Sequence, residues 1–537
     1  VLPDSVKVIG AYLFENSGIE AIQLPKSLTA ISEYAFAGCA SLKSLTAPDA
    51  VLTVYDYAFL DCTSLASVEF GYGVESFGTA IFMNCTSLAT VNIPSSISNM
   101  AGNPFINCPA LSNIDFDANN TEYVYMNNMI LDAELFTLVY YSPMITDATP
   151  KLPSTVRIFA AGAFYGSQIQ SFEVPATLTE ISDIMFMDCK NLTTITLPNN
   201  ITRIGLRAFM GCSALTKIEI PQTVTEIDEY AFANCTSLTE VTFAERKTPY
   251  TIGAHAFDGA ANLATINLQE GLTALTPYMF ANTGLVSFTL PASITNLNVE
   301  GVFYGSKLTT FDVANANVNV GNTLGVKFFM NSASLKTVKL PTSITRLGEL
   351  TFASTNGDTN ANGVVDPIEA SKFLTNSPSY AFAGCASLTS IDLSNIYWIG
   401  THAFDGCASL TTVTFGKYLS VIGDYAFANC TALTTLDFSS KLKSTWLNNS
   451  TQQAEQGLAF NNFEQFAMCS TEIGQYAFQN CSALTTITFA KSYSALYWGT
   501  LGTGMFEGCT SLTQAGFTNV PSSVWKTSTH YKNLPKA

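Results

Sequence analysis

The chain has 537 residues, with 24 Lys and Arg against 41 Asp and Glu, a formal net charge of −17 and a pI near 4.6. Apolar residues make up 47% and charged ones only 12%, which supplies a large core and excludes a disordered chain. The acidity excludes a cationic nucleic-acid surface, because phosphate binding needs clustered Lys and Arg. No run approaches the ~18 apolar residues of a membrane-spanning helix. The chain begins Val1-Leu2-Pro3 without Met, so a removed leader is expected. Its 13 Cys are an odd number, which argues against a fully paired disulfide framework.

Self-similarity organises everything that follows. Every cysteine stands three residues after a phenylalanine, from Phe36/Cys39 and Phe59/Cys62 to Phe478/Cys481 and Phe506/Cys509. The interval between successive pairs is 23 residues at Cys39, Cys62, Cys85 and Cys108, and again at Cys189, Cys212 and Cys235. Repeats around Phe14, Phe164, Phe257, Phe280, Phe303, Phe329 and Phe352 keep the ring and replace the thiol. A first insertion, 117–150, breaks the period with a hairpin-like run from Tyr123 to Leu131. The frame then returns as Leu192, Ile195, Leu197 and Pro198, followed by Ile201, Ile204, Ala208, Phe209 and Cys212. Leu-x-x-Ile-x-Leu reads as a short strand with alternate side chains inward. The following Pro has no N–H for a sheet ladder and stops the strand. Ala-Phe-x-x-Cys is too short for a regular helix and reads as a turn or short helical segment on the opposite wall. Further insertions span 356–378 and 441–463; all three read as loops bulging from the repeat frame.

No single repeat can bury its own apolar face, so the repeats must stack. The predicted fold is one repeat solenoid over 1–537, with about 18 coils of ~23 residues each adding a strand to a long parallel sheet. At ~4.8 Å per strand it would be about 80 Å long. The frame Leu-x-x-Ile-x-Ile-Pro-x-x-Val-x-x-Ile-x-x-x-Ala-Phe-x-x-Cys resembles the BspA-like leucine-rich repeat family over nearly the whole chain. That resemblance implies a right-handed leucine-rich repeat solenoid. It also implies a bacterial protein, secreted or anchored at the cell surface, that adheres to host protein or glycan or to other cells.

The cysteines read as a ladder of buried free thiols rather than a metal site, which would need clustered ligands. His255 and His402 occupy one repeat position, just before Ala-Phe, that elsewhere holds Tyr34, Tyr57, Tyr230, Tyr278, Tyr380, Tyr425 and Tyr476. Such a row either stacks on sugar rings or lies half-buried with its polar tips in water. No nucleophile elbow, zinc-protease helix, P-loop or dinucleotide fingerprint occurs in the chain.

Alternation points the residue between the last two strand apolars outward. Along the repeats this row carries Glu69, Asp115, Glu173, Glu219, Asp312, Asp392 and Asp437 against one basic residue, Lys339. It is either a solvated strand surface or an acidic, hydroxyl-rich groove for a basic protein segment. Within the second insertion, Asp358, Asn360, Asn362, Asp366 and Glu369 fall at positions 1, 3, 5, 9 and 12 of an EF-hand calcium loop. Gly363 takes the sharp-turn position and Val364 the backbone-carbonyl position, in a loop that resembles a dockerin half-site. One structural calcium ion is therefore expected. The function these features point to is non-catalytic recognition at a bacterial surface, with no nucleic acid and no membrane span. The alternatives are a secreted glycan-processing enzyme or accessory subunit, and a purely structural surface-layer protein.

Overall fold

A computed structural model describes residues 2–246, 248–348, 378–417, 419–439, 471–489, 498–513 and 517–518. They fall into two compact units, Val1–Ala244 and Glu245–Ala537, each built of stacked coils. A coil has three walls: a long strand, a short strand and a run of turns.

In Val1–Ala244 the long strands Ser44–Ala47, Ser67–Phe70, Thr90–Ile93 and Asn113–Phe116 pair in parallel. The short strands Val8–Ile9, Ala30–Ile31, Thr53–Val54, Ser76–Phe77 and Asn99–Met100 form a second parallel ladder. Both ladders resume later in the unit, as Ser171–Glu173 beside Thr194–Thr196, Lys217–Ile220 beside Glu240–Phe243, and Glu180–Ile181, Arg203–Ile204 and Glu226–Ile227. Alternation sets the faces: in Lys217–Ile220, Ile218 and Ile220 are buried while Lys217 and Glu219 are exposed.

Of the two readings of the third wall, turn or short helical segment, the structure shows turns, with no helix among the described residues. The reason lies in two left-handed residues per coil. Arg207 (φ 54°) and Gly211 (φ 76°) flank Ala208-Phe209-Met210, and neither can propagate a right-handed helix. Tyr34 and Gly38, or Tyr230 and Asn234, play the same parts in other coils. Gly, Asn and Asp adopt this conformation at least cost, which explains the residue before each of the twelve described cysteines. At Gly211 the constraint is doubled, because a Cβ there would lie 2.5 Å from Oδ1 of Asp188 in the preceding coil.

The turns still satisfy their backbone. Arg207, Phe209 and Gly211 donate N–H to Glu229, Ala231 and Ala233 of the next coil, at 3.1, 2.8 and 2.8 Å. Ala208, Met210 and Cys212 donate within their own coil, each at 3.1 Å. Alternate N–H groups therefore close the turn and join the stack, leaving no buried donor unpaired along this run.

Phe209 stacks between Phe186 and Phe232, with centroids 5.3 and 5.2 Å away and rings within 8° of parallel. The same column runs from Phe14 to Phe105 in this unit, and through Phe257, Phe280, Phe303, Phe329, Phe382, Phe404 and Phe427 in the other. Beside it lies the thiol column. All twelve described cysteines are free and buried. Cys212 Sγ donates to the Phe186 carbonyl of the preceding coil at 3.0 Å, and Cys62 does the same to Phe36 at 3.1 Å. Where serine replaces cysteine the bond survives, as Ser332 Oγ donates to Phe303 at 2.6 Å. Burial pushes the thiols of Cys189 and Cys235 up to about 12.

The first insertion is built into the fold instead of bulging from it. Tyr123–Met126, Met129–Asp132 and Thr137–Tyr141 form an antiparallel meander, and its last strand joins Ile158–Phe159 in parallel. That strand supplies the missing aromatic rungs: Tyr140 meets Phe105 edge-on at 5.5 Å, and Tyr141 meets Phe164 at 5.2 Å. The turn wall closes past the insertion, with Asn103 N–H donating to Ala161 at 3.0 Å and Asn103 Nδ2 to Gly162 at 2.8 Å.

In Glu245–Ala537 the short strands Thr323–Leu324, Arg346–Leu347, Trp398–Ile399, Val421–Ile422, Thr471–Ile473 and Trp498–Leu501 make one parallel ladder. The long strands pair as Thr310–Asp312 with Thr337–Lys339, Ser390–Leu393 with Thr412–Phe415, and Thr435–Phe438 with Thr486–Phe489. Positions 356–377 of the second insertion, and the whole third insertion 441–463, lie outside the described residues.

The column of phenylalanines carries a direct expectation. Phe209→Ala should lower the unfolding free energy of its cooperative unit by about 3–5 kcal/mol, by emptying a fully buried site between two rings. Denaturant titration of the variant measures it; a loss below about 1 kcal/mol would show that the ring is not a core element.

Candidate ligand-binding face

The outward row of the long strands is held in register by the ladder. Thr46 faces Glu69, and Asn92 faces Asp115. Glu173 faces Thr196, Glu219 faces Thr242, Asp312 faces Lys339, Asp392 faces Thr414, and Asp437 faces Thr488. All seven acids of the row are exposed. In each of these pairs an acid faces a neutral or basic residue, so no two carboxylates of the row meet across one coil step. The slot two residues earlier on the same face carries hydroxyls, Ser44 facing Ser67 and Thr435 facing Thr486.

The seven acids are not equivalent. Lys339 Nζ lies 2.7 Å from Asp312 Oδ2 and holds that carboxyl below its usual range. Asp312, Asp392 and Asp437 also accept the backbone N–H two residues on, from Ala314, Ser394 and Ser439, at 3.3, 2.9 and 2.8 Å. They stabilise the turn that follows their strand. Glu69, Asp115, Glu173 and Glu219 make no such bond and no ion pair among the described residues. These four belong to Val1–Ala244, and the engaged three to Glu245–Ala537.

Formal charge divides the same way. Val1–Ala244 carries 24 acidic and 9 basic residues, a formal −15. Glu245–Ala537 carries 17 and 15, a formal −2. The short-strand face of the first unit disposes of its charge by pairing: Arg203 sits between Glu180 and Glu226 in the ladder and also bonds Asp183 and Asp228. Along its long strands the described ion pairs are Lys43 with Glu20 at 2.8 Å, just before Ser44–Ala47, and Lys217 with Glu240 at 3.3 Å.

The aromatic row before Ala-Phe is self-stacked. Tyr12, Tyr34 and Tyr57 lie 5.0 and 5.1 Å apart and nearly parallel, and His402 stands between Tyr380 and Tyr425 at 4.8 Å from each. Ring faces covered by the next coil cannot stack on a sugar. Nδ1 of His255 and of His402 lies 2.8 and 2.7 Å from Asp258 and Asp405, whose other oxygens accept the amides of Asn282 and Asn429 in the next coil. These contacts tie coil to coil.

Among the described residues no group of three or more His, Cys, Asp and Glu is placed to hold a metal ion. The calcium-loop residues Asp358, Asn360, Asn362, Val364, Asp366 and Glu369 lie outside the described residues. No helix among the described residues is long and apolar enough to cross a membrane.

Parallel ladders of this kind, built on Leu-x-x-Ile-x-Leu strands and repeated coil after coil, define a leucine-rich repeat solenoid. The chain belongs to the BspA type leucine rich repeat family, whose region matches residues 3–129, 148–248, 245–358, 375–451 and 455–532. Among solved structures, a leucine-rich repeat protein from Bacteroides ovatus is 19% identical, with 92% of this chain and 91% of that chain covered and a TM-score of 0.38. A leucine rich cell surface protein from Faecalibacterium prausnitzii is 22% identical, with coverage of 78% and 91% and a TM-score of 0.38. The pneumococcal vaccine antigen PcpA is 17% identical, with coverage of 54% and 80% and a TM-score of 0.34. No curated protein matches the chain.

Proposed function

We propose that the chain is a non-catalytic recognition protein of a bacterial cell surface, secreted or anchored there, which adheres to a host protein through the long-strand face of Val1–Ala244. The observation that carries this reading is the set of four exposed carboxylates, Glu69, Asp115, Glu173 and Glu219, that the fold holds in rows and leaves without a cationic partner. Charges that stabilised the fold would be paired, as Arg203 is with its acids. Unpaired, in-register charge instead favours a partner of opposite sign, speeds its approach and selects against acidic ligands.

Charge reversal tests this. The triple variant Glu69→Lys, Glu173→Lys, Glu219→Lys should bind immobilised extracellular-matrix proteins at least about tenfold more weakly than the parent chain. The parent's binding should itself weaken as salt rises from ~0.05 to ~0.5 M. Asp392→Lys in the near-neutral unit should leave it unchanged. Binding that ignores both salt and the three reversals would contradict the reading.

The second insertion supports a separate proposal, resting on sequence. Its loop takes one Ca²⁺ through carboxylates of Asp358, Asp366 and Glu369, amide oxygens of Asn360 and Asn362, and the Val364 carbonyl. Three acids in an unpaired loop place the affinity near the extracellular range, roughly 10⁻⁵ to 10⁻³ M. Isothermal titration of metal-stripped protein should show one saturable site, lost in Glu369→Ala. Absence of saturable binding up to ~10 mM, past the weak end of that range, would reduce the loop to a turn rich in Asn and Asp.

A further inference from the structure

The spacing of the acids adds something that their number does not. On the face formed by Ser44–Ala47, Ser67–Phe70, Thr90–Ile93 and Asn113–Phe116, Glu69 and Asp115 stand two coils apart. Parallel strands lie 4.7–4.9 Å apart, so the two carboxylates recur at about 9.5 Å. Between them Asn92 is pulled down onto the strand: its Oδ1 accepts the Phe70 N–H at 2.6 Å and its Nδ2 donates to the Phe70 carbonyl at 2.8 Å. The half-buried amide leaves a gap between two free carboxylates.

An exposed aromatic ring stands past the strand end beside Glu69. Tyr72 follows Glu69 by three residues and is 74% exposed, the highest value among the large apolar side chains described. Its N–H is held by Asp49 Oδ1 at 3.0 Å, which fixes the turn that presents it. Beside Asp115 the next ring, Phe116, turns to the inner face opposite Ile93 and packs on the core with Tyr125, so Tyr72 is the exposed ring of this face.

Resting on the docking face proposed above, we infer that this sheet binds an extended basic segment in the polyproline II conformation with Lys or Arg at every third position. Such a helix has three residues per turn and rises ~3.1 Å per residue, so residues i and i+3 share a face about 9.3 Å apart. That matches the two-coil interval within a few tenths of an ångström. Same-face residues of a β-strand recur at about 6.8 Å, and those of an α-helix at about 5.4 or 10.5 Å, so neither keeps step with the carboxylates. Prolines between the basic residues would meet Tyr72, as proline-rich segments dock on aromatic surfaces elsewhere.

Fluorescence anisotropy of the full chain at low ionic strength separates spacing from charge. The probes are a peptide of four Lys-Pro-Pro triplets, a peptide of the same composition with its four lysines consecutive, and a peptide of four Lys-Gly-Gly triplets. The first should bind about fivefold more tightly than the other two, the scale of two exposed ion pairs set in register. Glu69→Gln with Asp115→Asn should remove that preference, while Asp392→Asn preserves it. Equal binding of all three peptides, weakened by the double substitution, would overturn the polyproline II inference and leave the acidic docking face standing. No binding by any of them would overturn both. A preference for the first peptide that survives the double substitution would also overturn the inference, by placing the site elsewhere.

Discussion

One constraint governs this protein: each coil lies a single strand spacing from the next, so every residue meets its counterpart one repeat away. A slot is acceptable only if its occupants can stack on their own kind. Phenylalanine meets this condition by parallel stacking at 5.2 to 5.3 Å around Phe209. Cysteine meets it with a small side chain whose S–H reaches the carbonyl below, as Cys212 reaches Phe186. Asn and Asp in the left-handed turn meet it by lying over a glycine, as Asp188 lies against Gly211. They can also form amide ladders, as Asn84 donates to Asp61 and Asn107 to Asn84. No large core pocket is needed, because the interior is a set of columns filled end to end.

The same constraint acts on charge, with the opposite result. Like carboxylates one coil apart would repel across about 4.8 Å, a spacing at which sheets pay for facing like charges. The exposed row therefore alternates acid with neutral or basic residues, and on the short strands Arg203 separates Glu180 from Glu226. Doubling the interval roughly halves the repulsion and lets each carboxylate stay ionised in water. Alternation thus has a structural cause, and it also gives the acidic unit a face whose charges are evenly spaced and open to a partner. In the near-neutral unit the corresponding aspartates are turned to local use, tying Ala314, Ser394 and Ser439 into the turns after their strands.

The coil was legible in the sequence because the Phe and Cys period and the Leu-x-x-Ile-x-Leu alternation are strict, and a strict period leaves little else for the chain to do. The outward placement of Glu69, Asp115 and Glu173 followed from alternation alone. The turn wall was harder. A bulky Tyr34 or Tyr57 in the left-handed region goes against local preference and is tolerated because its ring stacks on its neighbours. The Gly, Asn or Asp four residues later was the available signal. Residues 117–150 lack the repeat, so nothing local announced that Thr137–Tyr141 would serve as a rung; Tyr140 and Tyr141 reveal it only through contact with Phe105 and Phe164. The split in pairing between Asp312 and the free glutamates needed Lys339 at the next coil, a neighbour distant in sequence.

The column account is tested most directly by the thiols. Their reactivity depends on access and on the thiolate fraction; burial closes access to all twelve, and it pushes the thiols of Cys189 and Cys235 up as well. Titration of the native chain with a small disulfide reagent near pH 8, followed by the same titration in denaturant, counts the thiols that the stack protects. The twelve cysteines of the described columns should be silent in the native protein and should all react once it is unfolded. Rapid native labelling of several of them would mean that the coils are not stacked as columns.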